Sequence, residues 1–510
     1  MSGESAAPVD NAPARAPRRL RRSTLVVMVA TIPVLAVFAV LARIGEVFPF
    51  TVLVVVVGLV AALAGPRFGL IASIILTLAF PPLLGVKIGT FSFTIGRLLS
   101  FAVIGGWIAA LSRRDGPMLR RTPLDLPILF FFVGVVLSTV LNSPTLDSSE
   151  FGLVLQRFGT YSIDYFLWFF AAVSIMGAHP RHLERVLKTT VLAMSVIAAL
   201  GILEYVTKRN IFTLLPIFPR NFNAQVAEVA EASVRPRGGI SRVTATFDGP
   251  NRFGTATVLV LPVLVHFWTV ATERRWMYGT GAVLCTIGGL LTVSRSTLVG
   301  LMITVFVYAV ASGRTKLTKR NSLVVVAAVA AVMASSSAFR TTVSFYVADV
   351  TTGENRQNRG RTQDYVFVAR AFTENPIAGV GLGRYGEFAV SQPEAQSIRN
   401  KRAVTVLDNV YLQFLTQTGA PGFLGFLSVM LGGVAVALVS VRRAHTAAQR
   451  SLSAALLAST SSFAIICAFF DLFTFVQVTK LYLVLLAATV IGSGLTRPRG
   501  RPLYRRRAHA

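Results

Sequence analysis

Arg295 sits in Thr292-Val293-Ser294-Arg295-Ser296, a connection of a few residues between two long apolar stretches. A guanidinium there is costly against lipid, so it reads either as facing a polar cavity or as snorkelling to lipid headgroups. Further arginines fall in long connections of the same kind: Arg235, Arg237, Arg242, Arg252, Arg356, Arg359 and Arg361. Forked guanidinium groups converging at a membrane surface suit a phosphate-bearing ligand. Transport of an anion would use the same groups, so these residues give the charge of a ligand and not a reaction.

A reaction needs a proton acceptor as well. The histidines (His179, His182, His266, His445, His509) all read as lying on the opposite side, so the acceptor is either the substrate itself or a carboxylate such as Asp248, Asp364, Glu374 or Asp408. Asp408 stands out because Asp408-Asn409 leads into an apolar run, where a side chain can be fixed beside a bundle. Other motifs carry no chemistry. Gly381-Leu-Gly383-Arg-Tyr-Gly386 has the spacing of a dinucleotide loop but follows Asn375-Pro376 without a strand, and it reads as tight turns. There is no Walker sequence, HExxH, CxxC or GxSxG, and no Asp-x-Asp pair to hold a metal with a nucleotide sugar.

The elements that must position these residues follow from composition. The 510 residues carry Lys+Arg 50 against Asp+Glu 22, a net charge of +28, yet 53% are hydrophobic and only 14% charged. Mean hydropathy is +0.63. Such a chain is solvated mainly by lipid, which excludes a nucleic-acid binder, a disordered chain and a disulfide scaffold. Apolar runs of span length number about fourteen and lack strand alternation, so the expectation is an all-α, polytopic integral membrane helix bundle. Lysine and arginine placement puts both termini in the cytoplasm.

The organisation then reads as a basic arm (1–24), an N-terminal bundle (25–206), an outer loop (207–252), further spans (253–339), a large outer loop (340–419), C-terminal spans (420–495) and a basic tail (496–510). The arms suit anionic lipid. Within the large loop, Tyr365, Val368, Ala369 and Phe372 share one helical face, and Asn375-Pro376 ends the pattern. A helix lying on the membrane and a helix packed on neighbouring loops both fit.

Four segments carry a resemblance: Thr244-Ala-Thr-Phe-Asp-Gly-Pro250-Asn251-Arg-Phe-Gly254; Val293-Ser-Arg295-Ser296; Arg361 followed by Asn375-Pro376-Ile-Ala-Gly379-Val-Gly381-Leu-Gly383; and Leu407-Asp408-Asn409-Val-Tyr411-Leu412-Gln413 running on to Gly419. In order and spacing the chain resembles the O-antigen ligase and O-antigen polymerase family of bacterial membrane glycosyltransferases. The resemblance implies a GT-C-like bundle in the inner membrane that transfers or polymerises a polyprenyl-pyrophosphate-linked glycan at the outer face. It implies neither metal nor cofactor, with a flippase and a chain-length regulator as partners alongside the lipid bilayer. Arg295 and Arg361 inherit the pyrophosphate-holding role. Arg242, Asn251, Arg252, Asn409 and Tyr411 are expected to bind substrate.

Ligases of the family carry a histidine where this chain has Asp408, which shifts the expectation toward a polymerase or another glycan transferase. A carboxylate in that place can act as general base or orient the acceptor. The alternative from another class is a transporter or flippase for an anionic glycolipid or solute, although no internal repeat is evident.

Overall fold

The computed structural model describes residues 56, 58, 60, 64–81, 85–88, 91–112, 116–210, 242–313, 356–393 and 407–498. The spans expected at Leu25–Ala42 and Ser322–Phe339, nearly all of that at Phe48–Ala64, the N-terminal arm and most of the basic tail lie outside the described residues, as do 211–241, 340–355 and 394–406 of the two long loops.

The described chain runs Pro66–Ala79 (α1), an antiparallel hairpin Gly85–Ile88 (β1) and Phe91–Thr94 (β2), Ile95–Leu111 (α2), the two-residue strand Arg120–Arg121 (β3) and Asp125–Asn142 (α3). Ser148–Gly159 (α4) continues through a π-helical stretch, Thr160–Leu167, into Trp168–Gly177 (α5). Then come Pro180–Thr207 (α6), Pro250–Val270 (α7), Arg275–Leu291 (α8), Arg295–Ala311 (α9), Arg356–Glu374 (α10) and Tyr385–Ser391 (α11). Val410–Arg442 (α12), Ala447–Ile466 (α13) and Val476–Gly492 (α14) follow, and Arg497–Pro498 (β4) pairs with β3.

The fold is all-α. Among the described residues, five helical stretches are long and apolar enough to cross a membrane: α3, Glu150–Gly177, α6, α7 and α12. The apolar helices α1, α2, α9 and α14 are shorter, at 14 to 17 residues. The π-helical stretch joins what would be two short helices into one crossing length. Helix α14 is buried along nearly its whole length. A helix apolar all round belongs at the centre of a bundle, and its few polar residues must then find partners there. Gln477 does so by donating to the carbonyls of Thr77, Phe80 and Thr246 at 3.0, 2.9 and 3.2 Å.

The close pairing of α3 and α12 rests on glycine. A side chain at Gly134 would strike the backbone at Pro421 and Gly422, and one at Gly425 the backbone of Phe130 and Phe131. Small residues let helix backbones approach where lipid supplies no hydrophobic drive. Around this seam Phe131, Tyr161, Phe166, Phe414, Phe426 and Phe473 form one aromatic cluster, with the Phe414 and Phe426 ring centroids 4.5 Å apart.

Two ends are defined by hydrogen bonds between elements. At the first, Thr246 Oγ1 donates to the carbonyl of Leu78 at 2.6 Å, Val243 N to that of Leu291 at 3.4 Å and Val410 N to that of Cys467 at 2.9 Å. At the second, Arg120 donates to the carbonyl of Gly177 and β3 pairs with β4. Helices α7, α9, α12 and α14 all begin at the first end.

Helix α12 starts at Val410, well before the span expected from Ala420. Asn409 is why. Its side-chain oxygen accepts from the backbone N–H of Tyr411 and Leu412 at 2.9 and 3.1 Å, an N-cap that starts the helix early. The boundary expected between 419 and 420 falls on a kink inside the helix, with Gly419 at φ 62° and ψ −168°.

Candidate active site

The kink in α12 leaves backbone carbonyls without helical partners, and a loop fills them. Val380 N donates to the carbonyl of Thr416 at 2.9 Å, Gly381 N to that of Gln417 at 3.2 Å, and Gly383 N to the Gln417 side chain at 2.9 Å. Gly379, Gly381 and Gly383 take φ values of 63°, 100° and 86°, which side chains disfavour. At Gly379 a Cβ would also collide with the backbone of Thr416 and Gln417. The glycine-rich segment is therefore the set of tight turns its sequence suggested, and it fastens the connection between α10 and α12 to the bundle. Ser138 Oγ closes the joint by donating to the carbonyls of Ala378 and Gln417 at 2.6 and 3.0 Å.

Helix α10 packs on this loop and on α12. Its buried stripe is Asp364, Phe367, Val368 and Ala371, while Tyr365 and Ala369 are exposed. Phe367 and Val368 form a small core with Tyr385, Ala389 and Leu407. The Tyr385 hydroxyl donates to Asp364 Oδ1 at 3.0 Å, which turns that face inward; burial and the neighbouring carboxylate push the phenol up from its ordinary range. Of the two readings of this helix, packing on neighbours accounts for the buried face. The helix ends at Glu374, immediately before Asn375-Pro376, as expected. It begins at Arg356 and so contains Arg361 in its N-terminal half; the Arg361 side chain lies outside the described residues.

Four of the expected residues come together at the starts of α7 and α9. Arg242 donates through Nε to the carbonyl of Thr292 at 2.9 Å and through a terminal nitrogen to Asn251 Oδ1 at 2.9 Å. Arg252 pairs with Asp248 at 2.6 Å and lies with its guanidinium carbon 3.2 Å from the centroid of the Phe475 ring. Gly254, one turn on, abuts Thr292 and Thr297, which brings Arg295 alongside. Arg295 is exposed at the first residue of α9.

Asp408, Asn409 and Tyr411 stand at the start of α12. Asp408 is half-buried. The oxygen of Asn409 is engaged as the helix cap, and the Tyr411 hydroxyl donates to the carbonyl of Ala464 at 2.7 Å, holding α12 to α13.

Sequence reasoning missed two carboxylates that join these groups. Asp471, 5% exposed, lies in the turn between α13 and α14. Thr474 Oγ1 donates to its Oδ2 at 2.6 Å, and the Gln413 amide, with its nitrogen turned to the carboxylate, lies 3.0 Å from Oδ1. Burial pushes the Asp471 carboxyl up from its ordinary range, while the Thr474 bonds and the charges of Arg157 and Arg252 draw it back. Asp471 thus connects α12, α4 and α7. Glu204, buried near the end of α6, accepts from Thr244 N at 3.1 Å, Thr244 Oγ1 at 3.2 Å and Ala245 N at 2.9 Å. Ala245 has φ 51°, so Glu204 holds a strained turn directly before Asp248 and Arg252. The signal for both was available: each is a lone charge in or beside an apolar run.

The helix ends complete the electrostatics. Helices α7, α9 and α14 start here without a side-chain cap, so their terminal N–H groups and dipoles favour an anion. No acidic residue occupies the first turn of any of them, whereas Arg252 and Arg295 do. A cation in that turn opposes the dipole, a placement that makes sense with a bound anion as third party.

No curated protein matches the chain. Residues 280–427, from α8 past the kink of α12, match the O-antigen ligase family model. That stretch, which is similar to the O-antigen ligase family, contains Arg295, Arg361, the glycine turns and Asp408 to Tyr411.

Proposed function

We propose that the protein transfers or polymerises glycan from a polyprenyl-diphosphate carrier at the first end of the bundle, which faces away from the cytoplasm. The observation that carries this reading is the concentration of arginine and uncapped helix starts at one end, inside and beside the O-antigen ligase segment. In the reaction an acceptor hydroxyl attacks the anomeric carbon of the carried glycan. The bond from that carbon to the diphosphate oxygen breaks, and polyprenyl diphosphate leaves with the electron pair.

Arg295 and Arg361 hold the diphosphate, where fixed guanidinium groups stabilise charge most as it develops. Asp408 takes the hydroxyl proton or orients the acceptor. Arg242, Asn251 and Arg252 form the adjoining wall, and the bonds of Asn409 and Tyr411 make them supports for Asp408 instead of ligand contacts. About fourteen crossings with both termini cytoplasmic, and action alongside a flippase and a chain-length regulator, belong to the same reading.

The test is reconstituted protein supplied with a polyprenyl-diphosphate-linked oligosaccharide and no added metal. Release of polyprenyl diphosphate, lost in Arg295→Ala and Asp408→Ala, is the expected result. Movement of the oligosaccharide across the vesicle without bond cleavage would instead make the protein a transporter.

A further inference from the structure

Beneath the site lies a group of buried charges that the reaction as drawn does not use. Asp164, with a side chain 1% exposed, accepts from Arg97 Nε at 2.8 Å. Arg97 also donates to Thr160 Oγ1 at 2.5 Å. Lys480, on the central helix α14, donates to the carbonyl of Gly96 and to Ser100 Oγ, and its ammonium lies 5.8 Å from the Trp168 ring. Thr160 and Asp164 are both in the π-helical stretch, and Trp168 follows it.

A π turn is poorly bonded and persists where something holds it. It inserts a residue into the helical ladder, and one residue is a rotation of about 100°. Everything N-terminal to it is therefore turned relative to a continuous α-helix. Arg157 lies in the part so turned, and Tyr161 lies at the start of the stretch itself. Arg157 passes over the bare Cα of Gly383, and its charge acts on Asp471. The Tyr161 ring packs at 5.5 Å from Phe414 and 6.0 Å from Phe473, two residues beyond Asp471.

We propose that Asp164 is a positioning residue: with Arg97 it locks the π turn, and the π turn aims Arg157 and Tyr161 at Asp471. The inference rests on the reading of this end as the reaction site.

The experiment uses the full chain in lipid nanodiscs with 3-fluorotyrosine at position 161, read by ¹⁹F NMR, alongside turnover of the polyprenyl-diphosphate-linked oligosaccharide. Asp164→Asn is expected to shift or broaden the resonance and to lower turnover about 10- to 100-fold, the effect of a displacement near 1 Å. Asp164→Glu restores part of both. Leu485→Ala, a core truncation farther along α14, lowers the melting temperature but leaves resonance and turnover in place. Should Asp164→Asn fail to fold, Thr160→Val removes only the Arg97–hydroxyl bond and gives the same shift at smaller amplitude. A wild-type resonance in Asp164→Asn, or in a folded Thr160→Val, overturns the proposal. A moved resonance with intact turnover supports the positioning and counts against the reaction reading.

Discussion

Arginine is plentiful at both ends of this bundle, but the two populations obey different physics. At the second end Arg442 and Arg443 are exposed at the C-terminus of α12, where a cation complements the helix dipole and water solvates the charge. At the first end Arg252 and Arg295 occupy helix starts, where the dipole opposes them. Arg252 is held there by Asp248 and by the face of Phe475. One set needs nothing beyond water and the helix end to account for its place. In the other, Arg252 is kept in an unfavourable place by specific partners, a placement that suits an anion as third party.

The same contrast extends to the backbone and gives the largest expected effect. Gly419 and Gly494 both have positive φ, 62° and 67°. A Cβ on Gly419 would meet the carbonyl of Ile377 in the docked loop, whereas one on Gly494 meets nothing within 4 Å. Gly494→Ala should cost about 1–2 kcal/mol, the strain of a left-handed residue. Gly419→Ala adds about 1–3 kcal/mol of overpacking and should release the loop that carries α10. Chemical denaturation of the two variants, with limited proteolysis of the connection between α10 and α12, distinguishes them. Equal losses would mean that the loop is not anchored at the kink.

Next in size is the ion pair. The Arg252 and Asp248 side chains are 18% and 14% exposed, so Arg252→Ala strands a largely buried carboxylate. The expected loss is about 3 kcal/mol, with turnover abolished. The double variant Arg252→Ala/Asp248→Ala should recover stability but not turnover. Recovery of both would reduce Arg252 to a structural part.

Much of this arrangement was legible in the sequence, and the failures have physical causes. The grouping of Arg242, Asn251, Arg252 and Arg295 could be anticipated because each stands beside the start of an apolar run, and the starts of α7 and α9 are neighbours. The end of α10 was marked by Asn375-Pro376, since a residue before proline disfavours helix. The start of α12 was misplaced because Gly419 and Pro421 mark a break locally, while the carbonyls they free are taken up by Val380 and Gly381 from a distant segment. The inward face of α10 was misjudged for a similar reason: Asp364 is buried by its bond to Tyr385, which no helical periodicity records. Asp471 went unnoticed because its partners come from α4, α7 and α12, and a lone carboxylate among phenylalanines announces only that it needs partners.

Asp471 gives a smaller effect, dependent on pH. Its folded carboxyl is pushed above its ordinary range by burial, so the native state favours the protonated form. Stability from this group is complete below the ordinary aspartate range and is lost as pH rises through the raised value. Asp471→Asn should therefore flatten the dependence of melting temperature on pH across that window. If the second end governs the dependence instead, the variant and the wild type will run parallel.

The smallest effect on stability is also the sharpest test of the comparison, because the helix dipole enters it differently at the two ends. Arg443→Gln removes a cation from a helix C-terminus and should cost about 0.5 kcal/mol, less in high salt. Arg295→Gln removes one from a helix N-terminus, so the dipole contributes to that change with the opposite sign. Added polyprenyl diphosphate should separate the two variants. At about 100 times its Kd a ligand stabilises the native state by about 2.7 kcal/mol. That gain should persist in Arg443→Gln and vanish in Arg295→Gln. A cation set against a helix dipole is best explained by an anion bound between them, and equal ligand-induced shifts in the two variants would remove Arg295 from the site.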